Sequence, residues 1–417
     1  MYVAAADCSD REDIMVEGKH IVLGVTGSIA AYKIASLASM LVKKKADVTV
    51  IMTPNATNFI NPITFESLTG NKCLVDTFDR NFEFQVEHVS LAKQTDVFLV
   101  APASANVIAK AACGIADDML TTTLLACTCP KIVAPAMNTR MYRNQVVQDN
   151  MKKLLHYGME VITPARGYLA CGDTGEGKMP EPEVLYEHIV RALTPKDLAG
   201  KKVLVTAGPT QEKIDPVRYI SNHSTGRMGY AIARQAMMRG ADVTLVSGKV
   251  NIRPPMDVKV IPVVSAADMA QAVKEEAPSQ DIIVKAAAVA DYRPAVTAEE
   301  KLKKKDEEMS VALERTEDIL AYLGAHRREG QILCGFSMET EHMVENSRAK
   351  LEKKNIDMIV ANNLKQEGAG FGTDTNLVTL LTKDETVELP LMSKEAVADR
   401  VLDRLAKMEC VSGRRTE

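Results

Sequence analysis

The chain has 417 residues, of which 46% are hydrophobic and 25% charged, and carries a formal net charge of -4. Two domains are the natural expectation at this length. The acidic balance argues against nucleic-acid binding, which needs a basic face, and no apolar run reaches the length of a membrane span.

Only 4% of residues are aromatic, none is Trp and 21 are Met, so the cores should rest on aliphatic and thioether packing. The cysteines (Cys8, Cys73, Cys113, Cys127, Cys129, Cys171, Cys334 and Cys410) include no C-x-x-C pair. Neither a zinc knuckle nor a disulfide framework is suggested, and a reducing, cytoplasmic compartment fits. Residues 1–17 carry Asp7, Asp10, Arg11, Glu12 and Asp13, which is not the layout of a signal peptide. They read as a disordered lead-in, with Met15 as an alternative start.

From residue 18 strand and helix patterns alternate. Strands are expected at 21–25, 48–52, 97–101, 132–135 and 160–162. Residues 163–183 are rich in Gly and Pro without a hydrophobic period and read as a loop or flap; a helix over 183–192 then closes a first domain, 18–193. Residues 194–197 are the expected linker. The second domain, 198–417, shows strands at 203–206, 243–246, 258–262, 281–286, 332–336 and 357–360, then an antiparallel pair near 377–381 and 387–389. The alternation predicts an α/β fold class: two Rossmann-like, doubly wound domains with parallel sheets.

Each domain opens with a strand that runs into a tight turn. The first turn is G-V-T-G-S-I-A-A (Gly24 to Ala31), with Ser28 leading a helix; the second is A-G-P-T (Ala207 to Thr210). Small residues there let backbone N–H groups approach a phosphate. A dinucleotide site would add an acid closing the second strand to hold a ribose, but that strand ends Met52-Thr53-Pro54. A mononucleotide phosphate is favoured over NAD.

Three further segments give the first turn company. Ser104, Ala105 and Asn106 follow a strand end and offer a hydroxyl, a backbone amide and a carboxamide at a helix start. PAMNTRMY (135–142) places Asn138 in a cap position, and ACGDTGEGKMPEPE (170–183) places Cys171 in a Gly-rich flap. His88, in EHVSLAK, stands at an expected helix start. Taken singly, each has a bland alternative: a surface histidine, an N-cap, a small flap residue.

Together these segments resemble the flavin-dependent cysteine decarboxylases, phosphopantothenoylcysteine decarboxylase in particular, over residues 18–190. The resemblance implies FMN, held by Gly27, Ser28, Ile29, Thr53, Ser104, Ala105, Asn106 and Ala136. It implies oxidation of a cysteinyl thiol, loss of the neighbouring carboxylate as CO₂, and return of a hydride. His88 matches the active-site base, Asn138 the group that holds the substrate carboxylate, and Cys171 the proton donor; Ala170 and Gly172 flank it at the substrate. Tyr142 departs from the pattern, standing where relatives commonly have Trp.

In the second domain, GPTQEKIDPVRYISNHSTGRMG (208–229) carries a turn with both charge signs, Asp215-Pro216 and Arg218. Asn222 and His223 then precede Ser224-Thr225-Gly226, which open a helix expected at 228–239, an anion site. KAAAVADYRP (285–294) ends a strand in small residues and then offers Asp291 and Arg293. The charge run EEKLKKKDEE (299–308) reads as a solvated loop; CGFSMET (334–340) follows, and Lys350 and Lys354 share a helix face.

This set resembles phosphopantothenate–cysteine ligase over residues 198–408, and the fused order resembles the bifunctional enzymes of coenzyme A synthesis. The resemblance implies that CTP, with Mg²⁺, activates the phosphopantothenate carboxylate as an acyl-cytidylate, from which the amine of cysteine expels CMP. It assigns Asn222 to turnover of that intermediate and Lys301 to the developing phosphate charge. Asp291, Thr316, Asp318, Ile319, Phe336, Lys350 and Lys354 join Lys301 as nucleotide contacts. Departures are Ser337-Met338 for Ala-Ala, Glu317 for Pro, and Arg227 where Lys is frequent. Relatives form trimeric decarboxylase and dimeric ligase units, which implies a homo-oligomer; the other partners are small molecules, and metal ligands are not legible. Two rivals stand beside this reading. The missing acid after Met52 weighs against an NAD-dependent dehydrogenase, and His88, Asn138 and Cys171 weigh against a non-catalytic flavin-binding protein.

Overall fold

The computed structural model describes residues 15–78, 87–170, 172–303, 310–339, 343–363 and 373–412. The chain divides into two compact units between Thr194 and Pro195.

The first unit is built on β1 (His20–Val25), β2 (Asp47–Met52), β3 (Val97–Ala103), β4 (Lys131–Pro135) and β5 (Glu160–Val161). They form one parallel sheet in the order β2-β1-β3-β4-β5. Helices α1 (Tyr32–Lys43), α2 (Pro62–Thr69), α3 (Glu87–Gln94), α4 (Ala105–Cys113), α5 (Met119–Ala126), α6 (Thr139–Tyr142), α7 (Gln145–His156) and α8 (Pro182–Leu193) accompany the strands. Side chains of a strand alternate between faces, so Ile21, Leu23 and Val25 enter one core and Val22 the other. With both faces covered, such a strand needs a continuous apolar run rather than an alternating one. Val16 is fully buried in the first of these cores, so the expected disordered lead-in stops short of it; residues 1–14 lie outside the described residues.

The flap differs from expectation. It contains an antiparallel hairpin, β6 (Ala165–Tyr168) and β7 (Thr174–Lys178). No hydrophobic period marks it, because β7 packs on the turn after β4 mainly through backbone. The Met137 N–H donates to the Gly177 carbonyl at 3.1 Å, and the Thr139 hydroxyl to the Glu176 carbonyl at 2.8 Å. Gly177 has φ +115°, and a Cβ there would lie 2.2 Å from the Met137 oxygen, so only glycine fits.

The second unit contains β8 (Lys202–Ala207), β9 (Gln211–Lys213), β10 (Tyr219–Ser221), β11 (Asp242–Ser247), β12 (Lys259–Pro262), β13 (Ile282–Lys285) and β14 (Tyr292–Pro294). It continues with β15 (Leu313–Arg315), β16 (Ile332–Glu339), β17 (Met358–Asn363), β18 (Thr375–Asn376), β19 (Val378–Leu381), β20 (Thr386–Glu388) and β21 (Met392–Ser393). Its main sheet runs β12-β11-β8-β13-β16-β17-β19-β20; the first six strands are parallel, and β19 and β20 add antiparallel. Its helices are α9 (Arg227–Met238), α10 (Ala266–Glu276), α11 (Ile319–His326), α12 (Met343–Lys353) and α13 (Lys394–Ser412). In β8, Val203, Val205 and Ala207 enter one core and Leu204 the other. α9 lies close on this strand, since a Cβ at Gly229 would sit 2.6 Å from that of Ala207. Within the polar segment 208–229, Gln211–Lys213 and Tyr219–Ser221 form the antiparallel pair β9–β10.

Strand order reverses between β1 and β3 in the first sheet and between β8 and β13 in the second. At such a switch point neighbouring connections leave on opposite faces, and a crevice opens at the carboxyl edge.

Candidate functional site

At the first crevice, Gly27, Ser28 and Ile29 follow β1, Thr53 follows β2, Ser104 to Asn106 close and follow β3, and Ala136 and Asn138 follow β4. Since these strands are parallel neighbours, all eight positions assigned to flavin, and Asn138 with them, come to one edge. Thr26 ties the crevice together. Its buried hydroxyl donates to the Pro102 carbonyl at 2.7 Å and accepts the Ser104 N–H at 2.9 Å, joining the turns on either side. Losing that hydroxyl would orphan a carbonyl and an N–H, at about 1–3 kcal/mol for such a buried group. Thr26 was missed from sequence; the signal was a hydroxyl residue between an apolar strand and a glycine.

Three expected polar residues are helix caps. Ser28 Oγ accepts the Ala30 N–H at 3.3 Å, Ser104 Oγ the Val107 N–H at 3.4 Å, and Asn138 Oδ1 the Met141 N–H at 2.9 Å. The Asn138 cap uses the carboxamide oxygen and leaves its NH₂ for another partner. Thr53 is buried, and its hydroxyl has no hydrogen-bond partner among the described residues. An orphaned hydroxyl beside helix starts that present N–H groups is the donor set a phosphate-bearing flavin needs, so the residues fit that group.

His88 is the second residue of α3. α3 leads back to the start of β3, so its N-terminus lies toward the carboxyl edge. Ala170 and Gly172 are exposed at the tip of the β6–β7 hairpin, where the Gly172 N–H donates to the Leu169 carbonyl at 3.0 Å. Cys171 lies outside the described residues.

The second crevice is a cleft of about 350 Å³ that brings together Asn222, Asp291, Phe336, Lys350 and Lys354. One wall is the start of α9. Its N-cap, Gly226, has φ +80° and no side-chain cap bond, so first-turn N–H groups face the cleft. Ser224 Oγ accepts the Gly226 N–H at 3.3 Å, within the turn that opens the helix. Asn222 Nδ2 donates to the Ala288 carbonyl at 3.0 Å, which fixes its carboxamide against the loop after β13.

The charge in this cleft is one-sided. Among the described residues Arg227, Lys285, Lys350, Lys354 and Lys394 line it with one carboxylate, Asp291, while Asp374 and Asp318 beside it pair with Arg227 and Lys354. Lys394 is buried and its pKa is lowered, by burial first and then by Arg227. Lys285, Lys394, Asn362 and Asn376 were not singled out from sequence. Asn362 is buried with its carboxamide oxygen unpartnered among the described residues, so it is open to a ligand donor.

Four assigned contacts do not line the cleft. The Thr316 hydroxyl donates to the Ala290 carbonyl at 2.6 Å and its N–H to the Asp291 carbonyl at 3.0 Å, so it shapes the Asp291 loop. Asp318 caps α11 and pairs with Lys354 at 2.9 Å; burial works to raise its pKa, but the Ala321 N–H and Lys354 outweigh burial and lower it. Ile319 points into the core, which leaves only its backbone for a ligand. Lys301 is exposed, and the root of its loop is clamped. Asp215 accepts the Leu302 N–H at 3.2 Å, and Arg218 donates to the Leu302 carbonyl at 2.9 Å. The Asp215 carboxyl is held well below the usual carboxylate range by Arg218 first, then by the Val217, Arg218 and Leu302 N–H groups. Residues 304–309 of the charge run lie outside the described residues.

Each unit matches a known family. The family described as Flavoprotein matches residues 10–194, and the DNA/pantothenate metabolism flavoprotein C-terminal domain matches residues 198–408. The coenzyme A biosynthesis bifunctional protein CoaBC of Bacillus subtilis (strain 168) is 46% identical over 407 residues, covering 96% of this chain and 100% of that protein. Its counterpart in Escherichia coli (strain K12) is 41% identical over 392 residues, covering 93% and 97%. The crystal structure of the C-terminal domain of a CoaBC protein is 43% identical, covers 51% of this chain and 97% of its own, and has a TM-score of 0.44. The chain belongs to the bifunctional coenzyme A biosynthesis family, in which a flavoprotein phosphopantothenoylcysteine decarboxylase is fused to a phosphopantothenate–cysteine ligase.

Proposed function

We propose that the unit beginning at Pro195 uses CTP to join cysteine to 4′-phosphopantothenate, and that the unit ending at Thr194 decarboxylates the product with FMN. The observation that carries this is that the flavin positions gather at the switch point of the first sheet, and Asn222, Asp291, Phe336, Lys350 and Lys354 at that of the second. Mg²⁺ enters with the triphosphate, Asp291 being the carboxylate at hand; among the described residues no cluster of His, Cys, Asp and Glu forms a separate metal site. A cytoplasmic homo-oligomer fits the free thiols of Cys73, Cys113, Cys127, Cys129 and Cys334 and the resemblance to oligomeric relatives.

In the first unit, bound FMN supplies the two-electron oxidation of the cysteinyl thiol and its later reversal. Gly27 to Ile29, Ala105 and Asn106 hold the phosphate through backbone N–H groups, with the hydroxyls of Ser104 and Thr53 completing the donor set. Asn138 directs its free NH₂ to the substrate carboxylate, and His88 takes a proton at the start of α3. The hairpin is anchored on the Asn138 turn through Glu176 and Gly177, and Cys171, outside the described residues, is the proton donor. In the second unit, the α9 N-terminus and the lysines neutralise phosphate charge. Lys301, rooted by the Asp215–Arg218 clamp, swings onto the phosphate as charge builds, and Asn222 steadies the oxyanion during amine attack.

Residues 1–194 expressed alone should be yellow with flavin bands, and residues 196–417 should release pyrophosphate when given CTP, Mg²⁺ and phosphopantothenate. Colour in neither piece, or pyrophosphate release that ignores CTP, counts against the assignment. Cys171→Ser should stop the last protonation while sparing flavin binding, because a hydroxyl is too weak an acid to replace the thiol. Anaerobic incubation with phosphopantothenoylcysteine should then release CO₂ and accumulate an enethiol-type product, seen by mass. Wild-type formation of 4′-phosphopantetheine would remove Cys171 from the mechanism.

A further inference from the structure

Lys285 ends β13, one of the two strands at the switch point, and its side chain lines the cleft. The rest of the strand is apolar and buried: Ile282, Ile283 and Val284 all pack into the cores. Lys285 is itself only partly exposed, yet among the described residues no carboxylate lies within ion-pair distance of its Nζ. The acids that act on it are Asp318 and Asp291, and Asp318 is already taken by Lys354 and the Ala321 N–H. Lys354 is the like charge that acts on it. Burial and then Lys354 push the Lys285 ammonium below its usual pKa.

An ammonium withdrawn from water without a counter-charge costs stability, and methionine would fill the same space without that cost. The arrangement makes sense when the counter-charge arrives with a ligand. The same cleft presents the α9 N-terminus, Lys350, Lys394 and Arg227, the last paired with Asp374, so cations outnumber carboxylates there and an anion of several charges suits it. A triphosphate carries more charge than the phosphomonoester of phosphopantothenate, and so matches this surplus better.

We propose that Lys285 anchors a phosphate of the nucleoside triphosphate in the ligase cleft. This rests on the ligase reading of that cleft. The anchor acts on binding rather than on bond-making, so its removal should move nucleotide affinity first.

Calorimetric titration of the whole protein with CTP and Mg²⁺, and separately with 4′-phosphopantothenate, tests it. Lys285→Met should weaken CTP binding about 10- to 100-fold, the scale of a charge-assisted hydrogen bond, and leave phosphopantothenate within about twofold. Lys285→Arg should recover most of the loss, and the nucleotide KM of Lys285→Met should rise more than kcat falls. A cooperative melt at or above the wild-type temperature and an unchanged flavin spectrum would show that the variant is folded. Wild-type CTP affinity in Lys285→Met, or a loss confined to phosphopantothenate, overturns the proposal while the ligase reading stands. A wild-type protein that binds no triphosphate defeats the ligase reading and the proposal together.

Discussion

Replacing His88 with Asn is expected to lower the decarboxylase rate by on the order of 10²–10⁴-fold, the contribution of a positioned proton acceptor. His88 is the second residue of α3, which leads back to the start of β3. Asn keeps a polar side chain of similar reach but cannot take the proton. The ligase reaction should be untouched, because its residues belong to the other compact unit. CO₂ release and CTP-dependent pyrophosphate release, measured on one preparation, separate the cases. Equal loss of both would mean a folding defect, and an undiminished CO₂ rate would remove His88 from the chemistry.

The second large effect is expected at Asn222. A positioned oxyanion donor is worth about 10²–10³-fold, so Asn222→Asp should cut product formation by that order. Two losses combine there. The carboxylate brings negative charge to a site that must stabilise an oxyanion, and it cannot donate to the Ala288 carbonyl that now fixes the side chain at 3.0 Å. The acyl-cytidylate should still form and should accumulate, detectable by mass after an acid quench. Lys301→Gln should act earlier, slowing pyrophosphate release even without cysteine. Full product formation by Asn222→Asp with nothing trapped would refute the assignment of these two steps.

Both sheets were legible in the sequence because their inner strands, such as β1, β3, β8 and β13, are apolar runs buried on two faces. The hairpins were not. β7 (Thr-Gly-Glu-Gly-Lys) and β9 (Gln-Glu-Lys) bury few apolar side chains and are held by backbone contacts, so no period betrays them. The candidate sites divide in the same way. Residues in local motifs, such as Ser104 with Asn106 or Asn222 with Gly226, could be read directly. Thr26, Asn362 and Lys394 could not, because their meaning comes from partners or cleft walls far away in sequence. Lys285 left a trace: a lysine closing the apolar run Ile282-Ile283-Val284, at the edge where a parallel sheet binds its ligand.

The central claim is that one chain carries out two consecutive reactions. The direct test is a single vessel holding the purified protein, 4′-phosphopantothenate, cysteine, CTP and Mg²⁺, with products followed by mass. The account predicts that phosphopantothenoylcysteine rises and falls, while CMP, pyrophosphate, CO₂ and 4′-phosphopantetheine accumulate in equal amounts. Accumulation of phosphopantothenoylcysteine without decarboxylation, or no ligation with CTP present, would contradict it.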